Sequence, residues 1–109
     1  MIDDPDQVER LLAKLRQALP LPARMTPRLL TALRDRTPGS HPTPACRVAA
    51  VDYAGDEGGI VCHLEAEGAA AEVVVVSITH LDFDAKLSLA REIAVYQKRR
   101  IKRLRRIGP

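Results

Sequence analysis

The chain is short of aromatic side chains: Tyr53, Phe83 and Tyr96 are all it has, and tryptophan is absent. Its core must therefore come from Val, Leu, Ile and Ala. The aromatic platforms on which many proteins stack unpaired bases are nearly missing. Cysteine is scarce too. Cys46 and Cys62 cannot make a disulfide framework. They do not read as zinc ligands with His63 and His80 either. Neighbours such as Cys62 and His63 point to opposite faces of a strand, and His63 and His80 fall far apart along paired strands. No metal and no cofactor are expected.

Long apolar runs are also missing. None approaches the ~20 residues that span a bilayer as a helix. The opening MIDDPDQVER is acidic and lacks the basic-then-apolar order of a secretory leader, so a cytoplasmic location is expected. There is no P-loop, dinucleotide fingerprint or Ser-His-Asp pattern. Helix-turn-helix, zinc-finger and RNA-platform signatures are absent as well.

What remains is a chain of 109 residues, enough for one domain, with ordinary apolar (46%) and charged (28%) content. Its charge is unevenly placed. Seven of the nine residues from Lys98 to Arg106 are basic, whereas the rest carries ten Lys or Arg against fourteen acidic residues. The chain reads as an acidic body with a basic end.

Hydrophobic periodicity divides it further into a helical half (4–35), a Pro-rich linker (37–44), a β-meander (45–81) and a last helix (84–107). In DQVERLLAKLRQAL, Val8, Leu11, Leu12 and Leu15 recur on one helical face. Asp4 or Asp6 can cap that helix, and Pro20 and Pro22 end it. TPRLLTALRDR fits a second helix with Thr26 as cap and Pro27 in its first turn. TPGSHPTP, which holds His41, reads as an exposed connection.

From Ala45 the period becomes two, and CRVAAVDY, GIVCHLEA and EVVVVSITHL read as three strands. A hairpin centred near Glu57 would set Asp52 opposite Cys62. It would also place Cys46, Val48, Ala50, Ile60, Cys62, Leu64, Val74, Val76 and Ile78 on one apolar face. Arg47, Tyr53, His63, Glu65, Ser77 and Thr79 would lie on the other. The expected fold is α+β in the order α-α-β-β-β-α, a three-stranded antiparallel sheet covered on one face by helices.

Three functional readings follow. The first is a small non-enzymatic nucleic-acid-binding protein, RNA ahead of DNA. Arg99, Lys102, Arg103 and Arg106 would contact phosphates, assisted by Lys98, Arg100 and Arg105. The second is a protein partner or self-association through the stripe Ile93, Gln97, Ile101 and Leu104. The third is an enzyme built on a rim of His80 with Asp56, Glu57, Asp82 and Asp84, since a histidine among carboxylates can act as a general base. Against the first stands the bland reading of a solvated helix end whose cations suit the helix dipole.

Overall fold

The computed structural model describes residues 3–36, 44–66 and 74–107. The chain runs α1 (Pro5–Ala18), β1 (Leu21–Met25), α2 (Pro27–Arg36), β2 (Ala45–Tyr53), β3 (Ile60–Ala66), β4 (Val74–Ser77), β5 (Leu81–Asp82) and α3 (Ala90–Ile107). It is a mixed α+β fold. All pairings are antiparallel, in the strand order β4-β3-β2-β1-β5.

The sheet thus has five strands where three were expected, and the two additions have separate causes. LPARM follows directly on α1 and contains a proline, which disguises it as a terminator. Yet Leu21, Ala23 and Met25 are buried and alternate with exposed Pro22 and Arg24, as a half-buried strand requires. Pro22 is tolerated because β5 covers only Arg24 and Met25 of this strand, which leaves the β5 side of Pro22 open. The second addition arises where ITHL was expected to continue a strand. Ile78–His80 turns instead as one 3₁₀ segment, whose N–H at Thr79 is met by Ser77 Oγ (3.4 Å). Leu81–Asp82 then pairs with the far side of β1.

That connection forces the sheet to curl. β4 and β5 stand at opposite ends of the strand order, roughly 19 Å apart if the sheet were flat, at ~4.8 Å per strand. From Ser77 to Leu81 the chain can reach at most ~14 Å even when extended, and less in a 3₁₀ turn.

Register also departs from the simple alternation. Val48 faces Leu64, but Ala50 faces His63 and Val51 faces Cys62, so Ala49 is the extra residue of a β-bulge. The bulge exposes Ala50 and buries Val51 in its place. It also brings Tyr53 to the core side, packed against the buried cluster. β3 and β4 pair with Cys62 opposite Val76 and Leu64 opposite Val74.

The core lies between the sheet and the two longer helices. It takes Val8, Leu11, Leu12 and Leu15 from α1, Leu29 from α2, Val48, Val51, Ile60, Cys62, Leu64, Ile78 and Leu81 from the β region, and Ile93 and Tyr96 from α3. Asp4 caps α1, its Oδ1 accepting the Asp6 N–H at 3.0 Å. Thr26 caps α2, its Oγ1 accepting the Leu29 N–H at 3.3 Å. α3 begins at Ala90, six residues later than expected, because Asp84 closes a turn of its own. Its carboxylate accepts from Lys86 N–H (2.9 Å) and its carbonyl from Leu87 N–H (3.0 Å). The expected linker falls at 37–43 outside the described residues, as does His41; Pro44 is seen, its carbonyl accepting the Met25 N–H at 2.8 Å.

Candidate functional site

The basic end of the chain is a continuation of a firmly anchored helix. Ile93, Tyr96 and Arg100, spaced three and four apart, form the buried stripe of α3. Ile93 packs in the core. Tyr96, 1% exposed, donates its hydroxyl hydrogen to Asp3 Oδ2 (2.8 Å) and accepts the Ile60 N–H (3.0 Å). Gln97 donates from Nε2 to the carbonyls of Ile78 and Leu81, both at 2.8 Å. The Ile78 carbonyl also accepts the Leu81 N–H that closes the 3₁₀ turn, so Gln97 pins α3 to the point where the sheet turns over.

Arg100 is the sharpest departure from the expected site. Expected to assist the phosphate-contacting cations, it is instead 3% exposed. Its Nη1 donates to Asp3 Oδ2 (3.0 Å) and its Nη2 to the Asp56 carbonyl (2.8 Å). A guanidinium buried against the body needs a counter-charge and acceptors, and Asp3 and Asp56 provide them. Gly59 makes room. Its φ is +64°, and a Cβ there would collide with the Tyr96 hydroxyl and lie 2.8 Å from Arg100 Cζ and Nε. Burial, and then Asp3, push the Tyr53 hydroxyl pKa up, and burial does the same for Tyr96. The Tyr53 hydroxyl oxygen is buried and finds no hydrogen-bond partner among the described residues.

Four of the other cations face solvent. Lys98, Arg99, Lys102 and Arg105 are exposed, and none makes an ion pair among the described residues. Arg103 is half-buried and already engaged. Nothing is described of the Arg106 side chain. Glu92 is the last acidic residue of the chain, and Lys14 holds it at 2.7 Å. Lys98, Arg99, Lys102 and Arg105 therefore carry positive charge that no ion pair among the described residues offsets.

Two concavities border these turns. A shallow groove of about 480 Å³ runs along Lys98, Ile101, Lys102 and Arg105. A cleft of about 600 Å³ lies between α3, the 3₁₀ crossover and the start of α2. Its lining includes Thr26, Arg28, Glu57, His80, Leu104 and Arg105. Arg105 and Ile101 border both. Two hydroxyls in the cleft, Ser77 Oγ and Thr79 Oγ1, are bonded to each other at 3.0 Å.

The expected partner stripe divides. Ile93 and Gln97 are used inside the protein, while Ile101 and Leu104 are 39% and 40% exposed. The expected acidic rim also separates. His80 and Glu57 border the same cleft. Asp82, however, sits on β5 opposite Arg24, Asp84 turns back to Lys86, and Asp56 contributes its carbonyl to Arg100. Among the described residues no group of three or more His, Cys, Asp or Glu side chains is placed to hold a metal. Cys62 is buried, its thiol pushed up to about 12 by desolvation. His63 is tied to Asp52 at 3.0 Å. No helix among the described residues is long and apolar enough to cross a membrane.

Asp3 and Arg28 stand outside the expected site. Asp3 is one of three acids in DDPD, and nothing local tells the buried one from its exposed neighbours. Arg28 comes beside the basic helix only through the sheet's curl.

No family model, characterised protein or solved structure matches this chain.

Proposed function

We propose that the chain is a small non-enzymatic nucleic-acid-binding protein that holds phosphates along the outer face of α3, RNA ahead of DNA. One observation carries the reading: Lys98, Arg99, Lys102 and Arg105 are exposed and without an ion pair among the described residues, on a helix fixed from behind by Tyr96, Gln97 and Arg100. Like charges at three- and four-residue spacing repel on a free helix, and a polyanion removes that cost. A helix held in place loses little further freedom on binding. Neutralised phosphates release counterions, so affinity falls with salt. The lack of a groove-reading motif is what ranks RNA ahead of DNA.

The test is fluorescence anisotropy with short RNA and DNA probes at 50 and 200 mM salt, comparing the full chain with a variant carrying Lys98→Gln, Lys102→Gln and Arg105→Gln. Four phosphate contacts predict a log–log salt slope of roughly −3.6, or about a 150-fold loss over that range. Binding by the triple variant equal to the parent would refute the reading.

Exposed Ile101 and Leu104 favour a second reading, a protein partner or a second copy seated on the end of α3. Light scattering that shows a dimer abolished by Ile101→Ser with Leu104→Ser would support it over the first.

A further inference from the structure

Resting on that reading, we infer that the nucleic acid is double-stranded and is held by a rigid line of four cations that begins at Arg91, without base stacking. Two independent observations lead there. The first concerns the aromatics. Tyr96 is buried, Phe83 packs against the core, and Tyr53 is packed there with its hydroxyl oxygen enclosed. The whole chain has no other Phe, Tyr or Trp. Unpaired bases are ordinarily held by stacking on such rings, at ~1–3 kcal/mol per base. Tyr53 and Phe83 are partly buried and packed against the core, so this chain offers little ring face for stacking. A duplex keeps its bases stacked on one another and shows the protein its phosphates and shape.

The second observation is the geometry of α3. At 3.6 residues per turn, Arg91, Lys98, Lys102 and Arg105 fall within about 40° of one line along the helix, opposite the buried stripe of Ile93, Tyr96 and Arg100. All four are exposed and none makes an ion pair among the described residues. The line is about 21 Å long at 1.5 Å per residue. Its straightness is enforced from behind, because Tyr96, Gln97 and Arg100 are bonded to three different parts of the body. A straight, fixed array of charges complements a polyanion whose phosphates are themselves fixed in space. A flexible single strand would have to be ordered to match it, and half of the line is lysine, which has no planar group to stack on a base.

The experiment is an anisotropy titration of the full chain at 50 mM salt. The probes are a 16-base-pair RNA duplex, a DNA duplex of the same sequence, and an unstructured oligouridine strand of equal length. Arg91→Gln and Lys102→Gln are compared on the tighter duplex. The expected result is at least tenfold preference for a duplex over the strand. Each substitution should weaken duplex binding by roughly tenfold and make the salt slope shallower by about one. A strand bound as tightly as either duplex would overturn the double-stranded assignment while leaving phosphate binding intact. So would normal duplex binding by Arg91→Gln overturn the line that begins there. Failure to bind any probe would instead overturn the proposed function and this inference with it. Whichever duplex binds more tightly identifies the helical form preferred.

Discussion

Breaking the pair between Asp3 and Arg100 tests the central structural claim, that one of the seven clustered cations belongs to the core. Both side chains are almost fully enclosed. Arg100→Ala leaves the Asp3 carboxylate buried without its cation, though still bonded to the Tyr96 hydroxyl, and removes the Nη2 bond to the Asp56 carbonyl. Removing one member of a buried ion pair costs ~3–5 kcal/mol, because the survivor is stranded without water. For a domain of 109 residues, 3 kcal/mol corresponds to a fall in Tm of roughly 13 °C. Asp3→Ala should cost a similar amount. The double variant should be more stable than Arg100→Ala alone, since no unpaired charge then remains. Lys102→Ala, a change of the same sign on the exposed face, should stay within ~0.5 kcal/mol of the parent. Urea denaturation followed by circular dichroism measures all four proteins. If the two single losses simply add in the double variant, or if Arg100→Ala behaves like Lys102→Ala, the buried-pair account is wrong.

Two further outcomes follow from the same region and from the buried thiol. Gly59→Ala should destabilise by more than the ~1–2 kcal/mol of a left-handed backbone alone, because its Cβ would also press on Tyr96 and Arg100; urea midpoints for this variant and for Gly55→Ala, which has open space at its Cβ, separate the two contributions. Stability should also decline in alkali. The folded-state pKa of Cys62 is raised from 9.0 to about 12, so its contribution is complete below pH 9 and fades as pH climbs toward 12, when the unfolded chain gives up its proton first. This one group lowers stability by about 1 kcal/mol between pH 9 and 10. Cys46, Tyr53 and Tyr96 are raised in the same direction and add to the fall. A urea midpoint that stays constant from pH 8 to 10.5 would contradict it.

Much of the fold could be read locally because the signals are local. The spacing of Val8, Leu11, Leu12 and Leu15 and the Asp4 cap define α1 without reference to the rest of the chain. The alternation in CRVAAVDY and GIVCHLEA marks two strands. The failures occur where a long-range partner decides. Leu21–Met25 is five residues with a proline, too little to outweigh propensity until β2 and β5 flank it. Ala49 is a bulge because the pairing with β3 needs one residue more on its partner, which alternation in β2 alone does not reveal.

The candidate site divides along the same line. That the last helix is basic, and that most of its cations face solvent, is written in the order of its residues, since helical spacing turns sequence into angular position. Which cation turns inward is not. Arg100 is chemically equivalent to Arg99 and Arg103 until Asp3, 97 residues earlier, and the Asp56 carbonyl come together behind it. The curl of the sheet likewise sets Arg28 and His80 along one cleft with Arg105. Composition and periodicity alone determined an α+β chain with an acidic body and a cationic final helix, because these depend on neighbours within a few residues. The tertiary structure decided the fifth strand, the buried ion pair and the exposed line from Arg91 to Arg105. Each of these rests on desolvation and on contacts between residues far apart in the chain.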